Sequence, residues 1–274
     1  MPAQRDAPRA GHLDITGAIV ATAAAACAIY GLSQGQQQGF AAPVTLAVLS
    51  AAVVLAVAFV LAERRVRTPM VPLGVLADPL RRTALIVMML MGAVIAGYVY
   101  FSSLYLQRVL LLSPLLTGIA LIPATGTVMA TSMVLTRRLL ARFGIRPTLV
   151  AGLISAGLGQ LWLTQVSMHG SYLVNVLGGL LLTAFGMGII FPSASVAVTS
   201  GVTPDERGLA GGLFATAQQL GQALGLAALA TVAADRTRAA HGSLASGYQL
   251  SFLVSAGIVA VTIAVMVLPG RRWR

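Results

Sequence analysis

Residues 209–233 read LAGGLFATAQQLGQALGLAALATVA, a run without a charge, closed by Arg207 on one side and Asp235 on the other. As a helix it is long enough to cross the roughly 30 Å hydrocarbon core of a bilayer. Yet Gln218, Gln219 and Gln222 sit in its middle. An amide without a partner in an apolar medium costs roughly 2–7 kcal/mol. The stretch therefore reads as a membrane helix that meets something polar. Gln218 and Gln222 are four apart and share a face, with Gln219 turned away from both. Gly221 and Gly225, like Gly208 and Gly212, are small residues four apart and permit close backbone approach by a neighbour. Two readings stay open. The amides are interhelical glue worth about 0.6–2 kcal/mol each, or one face lines a water-accessible cavity.

The rest of the chain repeats the pattern. Of 274 residues, 57% are hydrophobic and 9% charged, against about 25% charged in a soluble domain. Apolar blocks predict spans at 15–32, 43–61, 83–106, 113–135, 148–166, 172–198, 209–233 and 250–268. The expected fold is an all-α polytopic membrane protein with eight transmembrane helices. Fifteen of the 18 arginines fall in 1–14, 62–82, 136–147, 199–208 and 269–274, leaving only Arg108, Arg236 and Arg238 on the other side. The excess places both termini in the cytoplasm and the protein in the plasma (inner) membrane, with the lipid bilayer as its first partner. The net charge of +11 forms no basic domain, so nucleic acid is not an expected partner. Arg5 and Arg9 precede an apolar run, and AAAAC at 23–27 imitates a cleavage site. Asp14 is better read as an acid at a helix start.

One seam is visible. AERRVRTPMVPLGVLADPLRR, 62–82, carries five Arg and three Pro, and Pro69, Pro72 and Pro79 oppose a continuous helix. The expected division is a two-helix unit at 1–62, a cytoplasmic linker at 63–82 and a six-helix unit at 83–274. Faint symmetry in the last suggests two three-helix repeats, 83–166 and 172–268, an arrangement typical of transporters.

None of the seven acids falls inside a predicted span, and no Arg or His does. The chain thus shows no intramembrane proton relay of its own. It shows no nucleophile–base pair and no metal-ligand spacing, so no enzyme, metal or cofactor is expected. Uncharged polarity remains. Tyr98, Ser102 and Tyr105 fall at i, i+4 and i+7 on one side of the third span, suiting a pocket for amphipathic molecules. For Tyr105 an interfacial aromatic belt is the competing reading. Pro123 and Pro192, with Gly186 and Gly188, read either as kinks in tight packing or as points where helices bend. TRRLLARFGIRP, 136–147, reads as a cytoplasmic loop. Gly144 gives its turn, and Arg138, Arg142 and Arg146 are free to bond helix C-terminal carbonyls or lipid headgroups. Thr203, Pro204, Asp205 and Glu206 read as a helix start.

Taken in order, LDITGAIVATAAAACAIYGLSQG, FVLAERRVRTPMVPLGVL, FSSLYLQRVLLLSPLLTGIALIP and GLAGGLFATAQQLGQALGLAALATV resemble the second half of the fourteen-helix drug:proton antiporters of the major facilitator superfamily. RLLARFGIRP resembles the weaker copy of that superfamily's loop motif, with Ala141 where an Asp is common. The resemblance implies that the first two spans are two extra central helices and the last six a C-terminal bundle. It implies export of hydrophobic or cationic small molecules in exchange for protons, with the QQLG helix facing or supporting the cavity. The bundle that carries the coupling acid in such proteins is not in this sequence. A separate N-terminal six-helix half is one expected partner; the alternative is a transport-inactive bundle that forms a homo-oligomer, or a truncated gene. Ala215 stands where a polar residue is usual, and Gln222 and Leu111 stand where glycines are.

Overall fold

The computed structural model describes residues 42–63, 78–203 and 206–267, with isolated positions between 20 and 34. Among them there is helix and no strand. The first expected span, Pro69, Pro72, Pro204 and Asp205 lie wholly or mostly outside the described residues. The chain divides into two compact units, Met1–Pro72 and Leu73–Arg274. In the first, α1 runs Pro43–Glu63. The second contains α2 (Pro79–Arg108), α3 (Pro114–Ala130), a π-helical turn (Thr131–Leu135), α4 (Thr136–Phe143), α5 (Ile145–Leu163), a second π-helical turn (Tyr172–Leu177), α6 (Gly178–Thr199), α7 (Arg207–Ala239) and α8 (Leu244–Val267). Among the described residues, four stretches are long and apolar enough to cross a membrane: Pro79–Arg108, Pro114–Phe143, Tyr172–Thr199 and Leu244–Val267.

Helix ends depart from the sequence expectation where charge had been read as loop. Pro79 does not break a helix but starts one. It occupies the first turn of α2, where no N–H is needed, and Asp78 Oδ1 accepts from Leu80 N at 2.9 Å. Arg81 is thus helical, and its guanidinium donates to Ser200 O at 3.2–3.3 Å, capping the end of α6. Residues 136–143 are likewise helix rather than loop. The chain α3–π turn–α4 runs unbroken to Gly144, whose φ of +78° supplies the stop that Arg137 and Arg138 do not. Arg146 Nη2 donates to Met266 O at 2.8 Å and to Val267 O at 3.2 Å, tying α5 to the end of α8. Arg138 is exposed, and Arg142 lies over the Phe143 ring at 5.4 Å. α7 is helical from Arg207, and Pro204 and Asp205 of the expected start lie outside the described residues. The amide of Thr203 nonetheless donates to Glu206 Oε2 at 3.4 Å, part of a capping box.

Glycines set the tightest packing. On α5, Gly152 and Gly159 are two turns apart; on α6, Gly179 and Gly186 are too. The pairs meet: a Cβ on Gly186 would lie 2.5 Å from Gly152 O, and one on Gly179 3.0 Å from Gly159 O. The second close pair is α2 with α7, and α8 packs on α2, α5 and α7. Exchanging the two three-helix repeats turns the α2–α7 contact into the observed α6–α3 contact, and α2–α8 into α6–α5. An aromatic group fills part of the interior, with Phe101 5.8 Å from Tyr248 and 6.3 Å from Phe252 between ring centroids. α3 is the outlying member. Its apolar stretch is 11% buried, against 56% for that of α2 or the Tyr172–Thr199 stretch.

Between α2 and α3, Leu111 adopts φ +56°. A left-handed leucine costs about 1–2 kcal/mol relative to a right-handed one, and at 81% exposure this side chain recovers little by packing. Leu111→Gly is expected to raise stability by about 0.5–1 kcal/mol after the extra entropy of an unfolded glycine. Equilibrium unfolding in mixed micelles measures it.

Candidate functional site

The third-span residues expected to share a pocket are split by the fold. Tyr98 is buried, and its hydroxyl donates to Leu180 O on α6 at 3.0 Å. Tyr105 is fully buried and donates to Ser167 O at 2.8 Å. Neither the belt nor the pocket reading fits Tyr105, which closes the α5–α6 connection from inside. Ser102 is also buried, with no hydrogen-bond partner for its Oγ. Of the three, Tyr98 lines a cavity.

That cavity measures about 330 Å³ and lies between α2, α3 and α6, with Tyr98, Val99, Ala124, Thr125, Met187 and Phe191 on its wall. These positions fall near the middle of their helices. Pro123 is exposed on α3, one turn from Ala120, whose carbonyl accepts from the Tyr172 hydroxyl at 2.7 Å.

Beside the cavity, α6 passes through Pro192. A proline has no N–H for the carbonyl four residues back, which here is Gly188 O. Thr136 supplies the donor from α4: its Oγ1 lies 2.9 Å from Gly188 O and 3.0 Å from Thr131 O. The π-helical turn that ends at Leu135 sets Thr136 there, and Thr136 is fully buried. Gly188 admits the approach, since a Cβ on it would lie 2.8 Å from both Val128 O and Thr131 Cβ. Met187 and Phe191 flank this joint and also line the cavity. Thr136 escaped the sequence reading because nothing local links it to a residue 52 positions away.

The glutamines lie on α7, away from the cavity wall. Gln218 and Gln222 are half-buried and Gln219 is exposed. Their side-chain amides have no hydrogen-bond partner among the described residues. Interhelical glue within this unit is therefore not what they do. Their backbone is in close contact: Gly92 of α2 faces Gln218 O and Gln222 N, Gly221 faces Met89 O, and Gly225 faces Ala93. Phe214, one turn before Gln218, meets the cavity-lining Phe191 edge-on at 5.6 Å. The other small pair differs from expectation: Gly208 and Gly212 have nothing within 4 Å of where a Cβ would stand. A buried amide that the sequence reading passed over is Gln160 of α5, whose Nε2 is 3.4 Å from Thr183 Oγ1 and whose Oε1 has no partner. Among the described residues no cluster of His, Cys, Asp and Glu could hold a metal ion.

Comparison with known proteins extends this picture. The family model described as Major Facilitator Superfamily matches residues 11–226. The puromycin resistance protein pur8 of Streptomyces alboniger is 31% identical over 96% of this chain and 54% of its own length. The cephamycin export protein CmcT of Amycolatopsis lactamdurans is 29% identical over 94% of this chain and 54% of its own. The multidrug resistance protein Stp of Mycobacterium tuberculosis is 30% identical over 82% of this chain and 42% of its own. The chain spans about half the length of the curated relatives it matches.

Proposed function

Because the chain belongs to the major facilitator superfamily, we propose that it is the C-terminal half of a fourteen-helix multidrug exporter of the plasma membrane, driven by proton antiport and working with a six-helix N-terminal half. In this reading eight helices cross the membrane, both termini are cytoplasmic, and hydrophobic or cationic small molecules leave the cell. Relatives named as resistance and export proteins support efflux. The observation that carries the two-half reading is the amide face of α7. Gln218 and Gln222 share that face, and their unpartnered amides cannot rest against lipid at roughly 2–7 kcal/mol each. A second bundle with water between the halves satisfies them. The open glycines Gly208 and Gly212 leave room for that bundle's close approach. The acids with described positions, Glu63, Asp78, Glu206 and Asp235, stand at helix ends, so the coupling carboxylate comes from the other half.

The test is efflux of a lipophilic dye from cells making the tagged chain with and without an N-terminal half. Export only with both, and co-purification of the two, is the expected result. A homodimer with no export in either case would sink the proposal and leave a self-associating bundle. Gln222→Leu adds a prediction. It is expected to cut efflux at least tenfold while leaving the isolated chain as stable as before, since no partner within it is lost. Unchanged efflux would remove Gln222 from the transport path.

A further inference from the structure

We propose that the cavity between α2, α3 and α6 is a binding site for uncharged, apolar organic molecules and rejects permanently charged ones of the same shape. Only two of its lining residues, Tyr98 and Thr125, carry polar side-chain atoms. Both hydroxyl hydrogens are already committed, Tyr98 to Leu180 O at 3.0 Å and Thr125 to Leu121 O at 3.3 Å. The wall therefore offers a guest no free side-chain donor. A carboxylate, phosphate or sulfonate would enter without a partner, and so would a strong acceptor. No acidic side chain lines the cavity, so a cation would enter without a counter-charge. The faces of Tyr98 and Phe191 attract a cation, but that attraction is smaller than the cost of removing a charge from water. Rings and a thioether suit the opposite guest. Phe191 is held edge-on by Phe214, Tyr98 is anchored through its hydroxyl, and Met187 adjusts to irregular shapes. A volume of about 330 Å³ suits a guest of a few linked rings.

The site lies apart from the amide face of α7, so polar and apolar recognition are separated within this unit. The inference rests on the exporter reading only in calling the guest a substrate.

The experiment uses the whole chain in lipid nanodiscs, with N-phenyl-1-naphthylamine as the neutral fluorescent probe and empty discs as the blank. Two competitors share one shape: 1,1,1-triphenylethane is neutral and methyltriphenylphosphonium is a cation. Saturable probe binding is expected, with the neutral competitor displacing it at least tenfold more effectively at equal membrane concentration. Ala124→Phe and Val99→Trp fill the cavity from two different helices. Each is expected to weaken the probe at least tenfold with helical content unchanged, and Val99, half exposed to begin with, serves if the first variant fails to fold. Ile154→Trp, on an exposed part of α5, is the control and is expected to bind normally. Equal displacement by the cation, normal binding in a folded filled variant, or no saturable binding beyond empty discs because an acyl chain occupies the site would each overturn the proposal. Binding without efflux would count against the exporter reading alone, and efflux without binding against this inference alone.

Discussion

Alanine at Gly221 is expected to destabilise the chain by about 1–3 kcal/mol, whereas alanine at Gly212, nine residues earlier on the same helix, is expected to be neutral or stabilising by up to about 1 kcal/mol. The substitution is the same and the helix is the same; the surroundings differ. At Gly221 the new methyl would run into the backbone of Met89, with Met89 Cα 3.0 Å away as well as its carbonyl group. Backbone cannot rotate aside as a side chain can, so α2 and α7 must separate. Separation also loosens the facing contacts of Gly92 with Gln218 and of Ala93 with Gly225. In lipid there is little hydrophobic gain from pairing helices, so close van der Waals contact carries the association and its loss is felt directly. At Gly212 nothing stands within 4 Å, and the helix gains only the better propensity of alanine. Unfolding of both variants in mixed micelles decides the matter; equal effects would show that the α2–α7 approach is not what holds α7. The same pair separates fold from function. Under the two-half proposal Gly212 faces a second bundle, so Gly212→Ala is expected to lower efflux while leaving the isolated chain stable.

The long elements were legible because their physics is local. A block of some twenty apolar residues between arginines forms a helix whatever its neighbours are, and each span expected from 43 onward overlaps a helix among the described residues. The errors at ends have one cause. Charge marks the end of hydrocarbon and not the end of helix. Arg81, Arg137 and Arg236 all sit in helical turns that continue beyond the apolar stretch. The site was much less legible. Spacing placed Tyr98, Ser102 and Tyr105 on one side of α2 but could not say that Leu180 and Ser167 would take up the two phenols. It put Gln218 and Gln222 on one face without saying that no partner within the unit meets their amides. The cavity arises where three helices converge, so no single segment carries its signature. A glycine spacing of seven on α5 and again on α6 was a readable sign of a shared seam, and it became meaningful only once the two helices were seen to pair through it.

Thr136→Val is expected to cost about 1–3 kcal/mol in the native sequence, because Gly188 O would then be buried without a donor. The same substitution is expected to cost much less in a Pro192→Ala background. The cycle follows from an interrupted helical ladder. Pro192 removes the N–H that Gly188 O would ordinarily receive, and Thr136 Oγ1 at 2.9 Å stands in for it. Valine keeps the shape of threonine and deletes the donor. Alanine at 192 restores the missing N–H within α6, so the hydroxyl becomes dispensable there. A coupling of about 1 kcal/mol or more between two residues in contact is within the range such cycles report, and equal costs in the two backgrounds would show that Thr136 acts by packing alone. The arrangement also lends itself to bending. A helix interior that depends on a hydroxyl from another helix can release that bond and take it up again, which a continuous backbone ladder does not permit. Met187 and Phe191 place the joint directly against the cavity wall. If α6 bends here as a guest enters and leaves, Pro192→Ala gives a more stable chain and a slower exporter. A variant that gains stability and keeps full efflux would instead assign the proline to packing.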